Sequence, residues 1–169
     1  ICKVMGFNDI EVLGTTIDDA IGEAFDKVSK YYKLGYPGGA VIDKLAQKGN
    51  PDAFTFPNPR LKTMYKKYDV SYSGLKTAVI NQLDKFWNGK DEKNYENIAA
   101  SFQKAAISLF MKRVKMALHD TGLTRVAAGG GVAANSLFRE SLTQLAGKGN
   151  LDVYFPSHQL CTDNGAMIA

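Results

Sequence analysis

The chain has 169 residues, 45% of them apolar and 22% charged, with a net charge of +4. That length supports one domain with a real core, and the composition is that of an ordinary globular protein rather than a disordered or fibrous one. No run of 18 or more apolar residues occurs, so neither a transmembrane helix nor membrane association is expected.

The pI near 9.0 favours an anionic partner such as a nucleotide or RNA only mildly, since solvated lysines explain a small basic excess as well. Cys2 and Cys161 are the only cysteines and lie at opposite ends, which fits a reduced cytoplasmic protein better than a disulfide-stapled one. The chain opens on Ile-Cys-Lys in what reads as mid-strand. It stops within what reads as the first turns of a helix after Asp163. Both ends are therefore expected to be boundaries within a longer protein.

Residues 9–13 alternate polar and apolar, which predicts a strand ending at Gly14. Thr16 has the character of an N-cap, with Asp19 in place of the usual Glu of a capping box. The helix after it carries Ile17, Ala20, Ile21, Ala24, Phe25 and Val28 at helical spacing and should end near Leu34-Gly35. Tyr36-Pro-Gly-Gly39 predicts a turn into a second helix with Pro37 at its start. Residues 49–72 contain Pro51, Pro57 and Pro59 and no lasting period, so they read as an irregular connection.

A helix over about 74–87 and a polar loop at 88–93 follow. The longest helix is predicted from about 92 to 120, with Ile98, Phe102, Ala105, Ala106, Leu109, Phe110, Val114, Ala117 and Leu118 on its apolar face and Gly122 as its stop. Arg125–Ala128 reads as a short buried strand, 134–147 as a helix and 151–155 as a strand ended by Pro156. Strands separated by helices predict an α/β lobe with a core at about 1–35 and 92–169, and a mostly helical insert at about 36–90. The strands near 9–13, 125–129 and 151–155 are expected to share one sheet.

Gly129-Gly-Gly131, between a strand and a helix, is the clearest chemical signal. Glycines let backbone approach a ligand, and free N–H groups at a helix start attract anions. Three in a row exceed what a tight turn needs, so Gly130 and its neighbours point to ligand binding, with Asn135 able to donate to and accept from a ribose or base. Asp19, Glu23 and Asp26 fall on one side of the first helix and could hold a ribose diol, although a solvated acidic face is the commoner meaning of such spacing.

Asp163, just before a helix, reads first as an N-cap and second as a metal ligand, with Cys161 as a conceivable companion. A metal site needs three or four ligands, and His119 and His158 show no paired spacing, so no complete site is legible. Ser71-Tyr-Ser-Gly-Leu-Lys-Thr77 lacks the glycine spacing of a phosphate loop. Lys112, Arg113 and Lys115 form either an RNA-facing patch or a solvated helix face.

Taken in order, Thr16-Ile-Asp-Asp-Ala-Ile-Gly-Glu-Ala-Phe-Asp-Lys27, Tyr36-Pro-Gly-Gly39, Ser71–Thr77, Gly129-Gly-Gly-Val-Ala-Ala-Asn135 and Cys161-Thr-Asp-Asn-Gly-Ala-Met-Ile-Ala169 resemble the tRNA N6-adenosine threonylcarbamoyltransferase family. Its members were once described as O-sialoglycoprotein endopeptidases, or glycoproteases. The resemblance spans essentially the whole chain. It implies an actin-like, sugar-kinase-like, Hsp70-like ATPase fold. It also implies transfer of a threonylcarbamoyl group from threonylcarbamoyl-adenylate to N6 of the adenosine beside the tRNA anticodon, with AMP released.

Carried over by motif, Asp26, Gly39, Asp43 and Asn135 contact the adenylate, and Asp163 is one ligand of a single divalent metal, iron or zinc, that would polarise the carbamoyl carbonyl. The family's paired metal-binding histidines and first glycine-rich phosphate loop lie upstream of residue 1. The resemblance thus implies one metal ligand of three here, an N-terminal lobe outside this chain, and no activity from the piece alone. Accessory proteins of the transfer complex would dock largely on that other lobe.

Two other classes stay open. One is an actin-like ATPase or carbamoyltransferase with a different acceptor, which a comparison of acceptors would reveal. The other is a non-catalytic nucleotide-binding scaffold, to be told apart by the presence or absence of an upstream His-x-x-x-His pair. A peptidase has little support, since neither a Ser-His-Asp order nor a His-Glu-x-x-His motif occurs.

Overall fold

The computed structural model describes residues 1–56, 66–86, 94–162 and 165. Within them the element order is β1 (Cys2–Gly6), β2 (Asp9–Val12), α1 (Ile21–Tyr31), α2 (Gly38–Ala46), α3 (Ser73–Phe86), α4 (Tyr95–Thr121), β3 (Arg125–Ala127), α5 (Ser136–Gly147) and β4 (Asp152–Tyr154). Short 3₁₀ helices cover Gly131–Ala134 and His158–Leu160. This is a mixed α/β architecture.

The expected single sheet is not formed. Among the described residues β1 pairs with β2 as an antiparallel hairpin, and β3 pairs in parallel with β4 in a separate two-stranded sheet. The reason is reach. Only Ile1 joins Val126, Ala128 and Val153 in a shared apolar cluster, while the hairpin beyond it leaves Val4, Met5, Ile10 and Val12 exposed. The short turn at Phe7-Asn8 satisfies β2 locally, so β3 is left with β4 alone. Arg125 and Ala127 are accordingly exposed, and only the Val126 side of the predicted buried strand is covered.

Two apolar clusters hold the helices. Phe25, Val28, Ile42, Tyr72, Val79, Ile98 and Phe102 form the first, so the helices of the 36–90 stretch share a core with α1 and α4. Ile107, Met111, Val114, Phe138 and Leu142 form the second, under β3 and β4. Helix α4, 27 residues long, links the two, because its buried apolar side chains run from Ile98 to Ala117. The side chain of Asn94 caps its start, accepting from Asn97 N at 2.9 Å, and Gly122 ends it at φ +66°, a left-handed conformation that glycine adopts without steric cost.

Helix α1 begins four residues later than the Thr16 motif predicts. Thr16 Oγ1 donates to the Asp19 carbonyl and so turns the chain, and Glu23 reaches back to Ala20 N at 3.4 Å to open the helix at Ile21. Asp18 is thereby released to another element. Its carboxylate accepts from Tyr72 N at 2.8 Å, Ser73 N at 3.2 Å and the hydroxyls of Ser71 and Ser73, which closes the start of α3. Burial opposes ionisation of Asp18, but the donors at Ser71, Tyr72 and Ser73 outweigh it and hold the carboxyl below the usual aspartate range.

The sign follows from the direction of that shift. The stabilisation is fully present above the unfolded pKa, about 3.9, and is lost as pH falls through the lower folded value. Asp18→Asn should therefore cost about 1–2 kcal/mol near neutrality, the range of a lost cap. The melting-temperature gap to wild type should stay constant down to about pH 5 and narrow below about pH 4. Thermal melts from pH 7 to 3 check it, and a gap independent of pH would place the effect elsewhere.

Candidate functional site

Helix α2 is the axis of the site. Gly38 N, at its start, donates to Asp26 Oδ1 at 2.7 Å. The α1–α2 approach is so close that a Cβ on Gly38 would lie 2.6 Å from Asp26 Cα. Gly39 comes next, and a Cβ there would meet nothing among the described residues within 4 Å. Asp43 is four residues further along α2 and so shares a face with Gly39. Its carboxylate accepts from Ser136 Oγ at 2.6 Å, Ser136 N at 3.2 Å and Asn135 Nδ2 at 3.3 Å. The predicted residues Asp26, Gly39, Asp43 and Asn135 are thus brought around one helix.

The glycine loop reaches the same place. Gly129, Gly130 and Gly131 are exposed, and a Cβ on any of them would meet no atom of the described residues within 4 Å. Gly130 has φ +80°, where side chains are strained, so this position needs glycine for its backbone as well as for access. The loop leads through Gly131–Ala134 into α5.

Asn135 does not stand free as the sequence suggested. It is 8% exposed, and its Oδ1 caps α5 by accepting from Phe138 N at 3.0 Å. Both Nδ2 hydrogens are engaged, one by Asp43 and one by Gln103 Oε1 at 2.9 Å. What Asn135 can still offer a ligand is the second lone pair of Oδ1. Gln103 and Ser136 are the residues that sequence reasoning missed, since a Gln on a long helix and a Ser after a loop carry no local signal of their own.

The expected acidic edge of α1 is only partly available. Asp19 lies before the helix and is held by Lys27 at 2.6 Å and Lys76 at 2.8 Å, while Glu23 is held by Lys27 at 2.7 Å. Hydrogen bonds from Lys27 and then Lys76 keep the Asp19 carboxyl below its usual range. Asp26 remains, with Oδ2 unclaimed among the described residues. It lines a groove of about 540 Å³ with Lys30, Lys33, Gly35 and Tyr36, the last 83% exposed.

The basic cluster of α4 divides. Arg113 Nε donates to the Asp69 carbonyl at 3.0 Å and so serves the fold. Lys112 and Lys115 line a groove between α4 and α5 of about 430 Å³. Asp163 lies outside the described residues. Among the described residues no group of three or more His, Cys, Asp or Glu side chains could hold a metal ion. Nor is any described helix long and apolar enough to cross a membrane.

Comparison with known proteins identifies the family. The family model described as tRNA N6-adenosine threonylcarbamoyltransferase matches residues 1–169. The protein of that name from Treponema denticola is 63% identical over 169 residues, covering all of this chain and 49% of that protein. Those from Treponema pallidum strain Nichols and Borrelia duttonii are 52% and 48% identical over the same residues, with 47% and 49% of each covered. The chain therefore spans about half the length of the curated relatives it matches. A family model matching residues 1–169, relatives up to 63% identical along the whole chain and a mixed α/β fold of the actin-like class place the chain in the tRNA N6-adenosine threonylcarbamoyltransferase family.

Proposed function

We propose that this chain is one nucleotide-binding lobe of an enzyme that moves a threonylcarbamoyl group from threonylcarbamoyl-adenylate to N6 of the adenosine beside the anticodon of tRNA. N6 attacks the carbamoyl carbon, the bond from that carbon to the phosphate oxygen breaks, AMP leaves with the electron pair, and the N6 proton passes to solvent. The observation that carries the reading is the open glycine loop fastened to α2 through Asp43, Asn135 and Ser136. Backbone N–H groups that no described side chain covers suit the phosphate of an adenylate. Asp26 Oδ2, unclaimed among the described residues, suits a ribose hydroxyl, and the groove past Lys30 and Tyr36, about 540 Å³, is of the size of small-ligand sites.

In this reading residues 1–35 and 92–169 form the lobe's core, with 36–90 inserted into it. The other lobe, further ligands for a divalent iron or zinc beside Asp163, and the docking surface for accessory proteins belong to the longer protein. It works in the cytoplasm on tRNA. The test is transfer by the full-length protein from labelled threonylcarbamoyl-adenylate, offered tRNA or small amine and hydroxyl acceptors. Label at N6 of tRNA adenosine supports the reading. Label on small acceptors alone points to a related carbamoyltransferase, and adenylate binding with no transfer points to a scaffold.

A further inference from the structure

Gln103 is an uncharged polar side chain in the middle of α4, only 4% exposed and next to core Phe102. Burying an amide there costs free energy that an apolar residue would avoid, unless its hydrogen bond is needed. That bond runs to Asn135, and its direction is dictated by the backbone. Phe138 N can only donate, so Asn135 must turn Oδ1 towards it. Asn135 Nδ2 then faces Gln103, which must present its oxygen, and the same nitrogen reaches Asp43. One buried acceptor on α4 thus braces the amide that joins the end of the glycine loop to α2.

The loop depends on its ends. A Cβ at Gly129, Gly130 or Gly131 would meet no atom of the described residues within 4 Å, so among these residues no side chain packs against those positions. Its exit is fixed by Asn135 and Ser136, both bound to Asp43. We propose that Gln103 is a positioning residue of the nucleotide site, acting through Asn135 to hold the glycine loop and Asp43 in the arrangement that receives the adenylate. This rests on the adenylate-transfer reading above. Gln103 takes no part in the chemical step.

The experiment uses the full-length protein with Gln103→Met and Gln103→Glu. Met keeps the length and apolar bulk but removes the acceptor, and Glu restores an acceptor oxygen to Asn135. Hydrogen exchange of the peptide 129–138 is measured without ligand, beside melting temperature and threonylcarbamoyl-adenylate affinity. Met should speed exchange in 129–136 and weaken the adenylate by about fivefold or more with little change in melting temperature. Glu should recover most of both. Wild-type exchange and affinity in the Met variant would overturn the proposal, as would equal losses in both variants accompanied by a fall in melting temperature. If wild-type protein fails to bind the adenylate, the functional reading fails, while the exchange comparison still decides whether Gln103 positions the loop.

Discussion

Gly39→Val in the full-length protein is expected to melt like the wild type and to bind threonylcarbamoyl-adenylate about tenfold or more weakly, roughly 1.4 kcal/mol or above. Position 39 is the second residue of α2, and a Cβ there would meet no atom of the described residues within 4 Å. Glycine costs a helix about 1 kcal/mol relative to alanine and valine only somewhat less, so the exchange is close to neutral for folding. The two nearby glycines do not separate the effects in this way. At Gly38 a Cβ would lie 2.6 Å from Asp26 Cα and 2.7 Å from the Phe25 carbonyl, so any side chain would force α1 and α2 apart. At Gly130 the φ of +80° would strain a valine by about 1–3 kcal/mol before any ligand arrived. Titration calorimetry with a non-hydrolysable adenylate, beside a thermal melt, measures both quantities. Equal affinity in a stable Gly39→Val protein would remove α2 from the ligand's path.

The elements legible from sequence were those whose signals are local. Helix α4 shows its period over many turns, and Gly122 ends it by its own backbone freedom. The start of α1 differs from its sequence pattern because Thr16, Asp18 and Asp19 have the composition of a cap, while Asp18 is bound to Ser73, 55 residues away. No local pattern reports such a partner. The sheet was misassigned for the same reason, since alternation at 9–12 predicts a strand without saying which strand it joins.

The site shows the same division. The motifs marked Asp26, Gly39, Asp43, Gly130 and Asn135 as a set. What each one touches depends on contacts spanning 12 residues for Asp26 with Gly38, 93 for Asp43 with Ser136 and 32 for Asn135 with Gln103. Composition at position 135 allowed a ribose-reading amide, whereas the fold uses most of that amide to cap α5 and meet Asp43. The resemblance named positions, and the packing of α2 against α1, α4 and the loop decides what those positions are free to do.

Asp163 lies outside the described residues, and its role is decided by a substitution that separates its two possible uses. As an N-cap, aspartate and serine are nearly equivalent, whereas alanine costs about 1 kcal/mol. As a metal ligand, aspartate supplies a hard carboxylate oxygen that serine does not replace. Asp163→Ser in the full-length protein should therefore keep wild-type stability while losing most of its bound iron or zinc. Transfer should fall by at least about 100-fold, since even the partners behind a metal ligand cost 10–100-fold when removed. Asp163→Ala should lose metal and transfer equally and add the stability cost of a cap. Metal per subunit by mass spectrometry, single-turnover transfer to tRNA and a thermal melt on the same preparations provide the three readings. Wild-type metal and transfer in Asp163→Ser would reduce Asp163 to a helix cap and leave the metal, if the enzyme holds one, to other ligands.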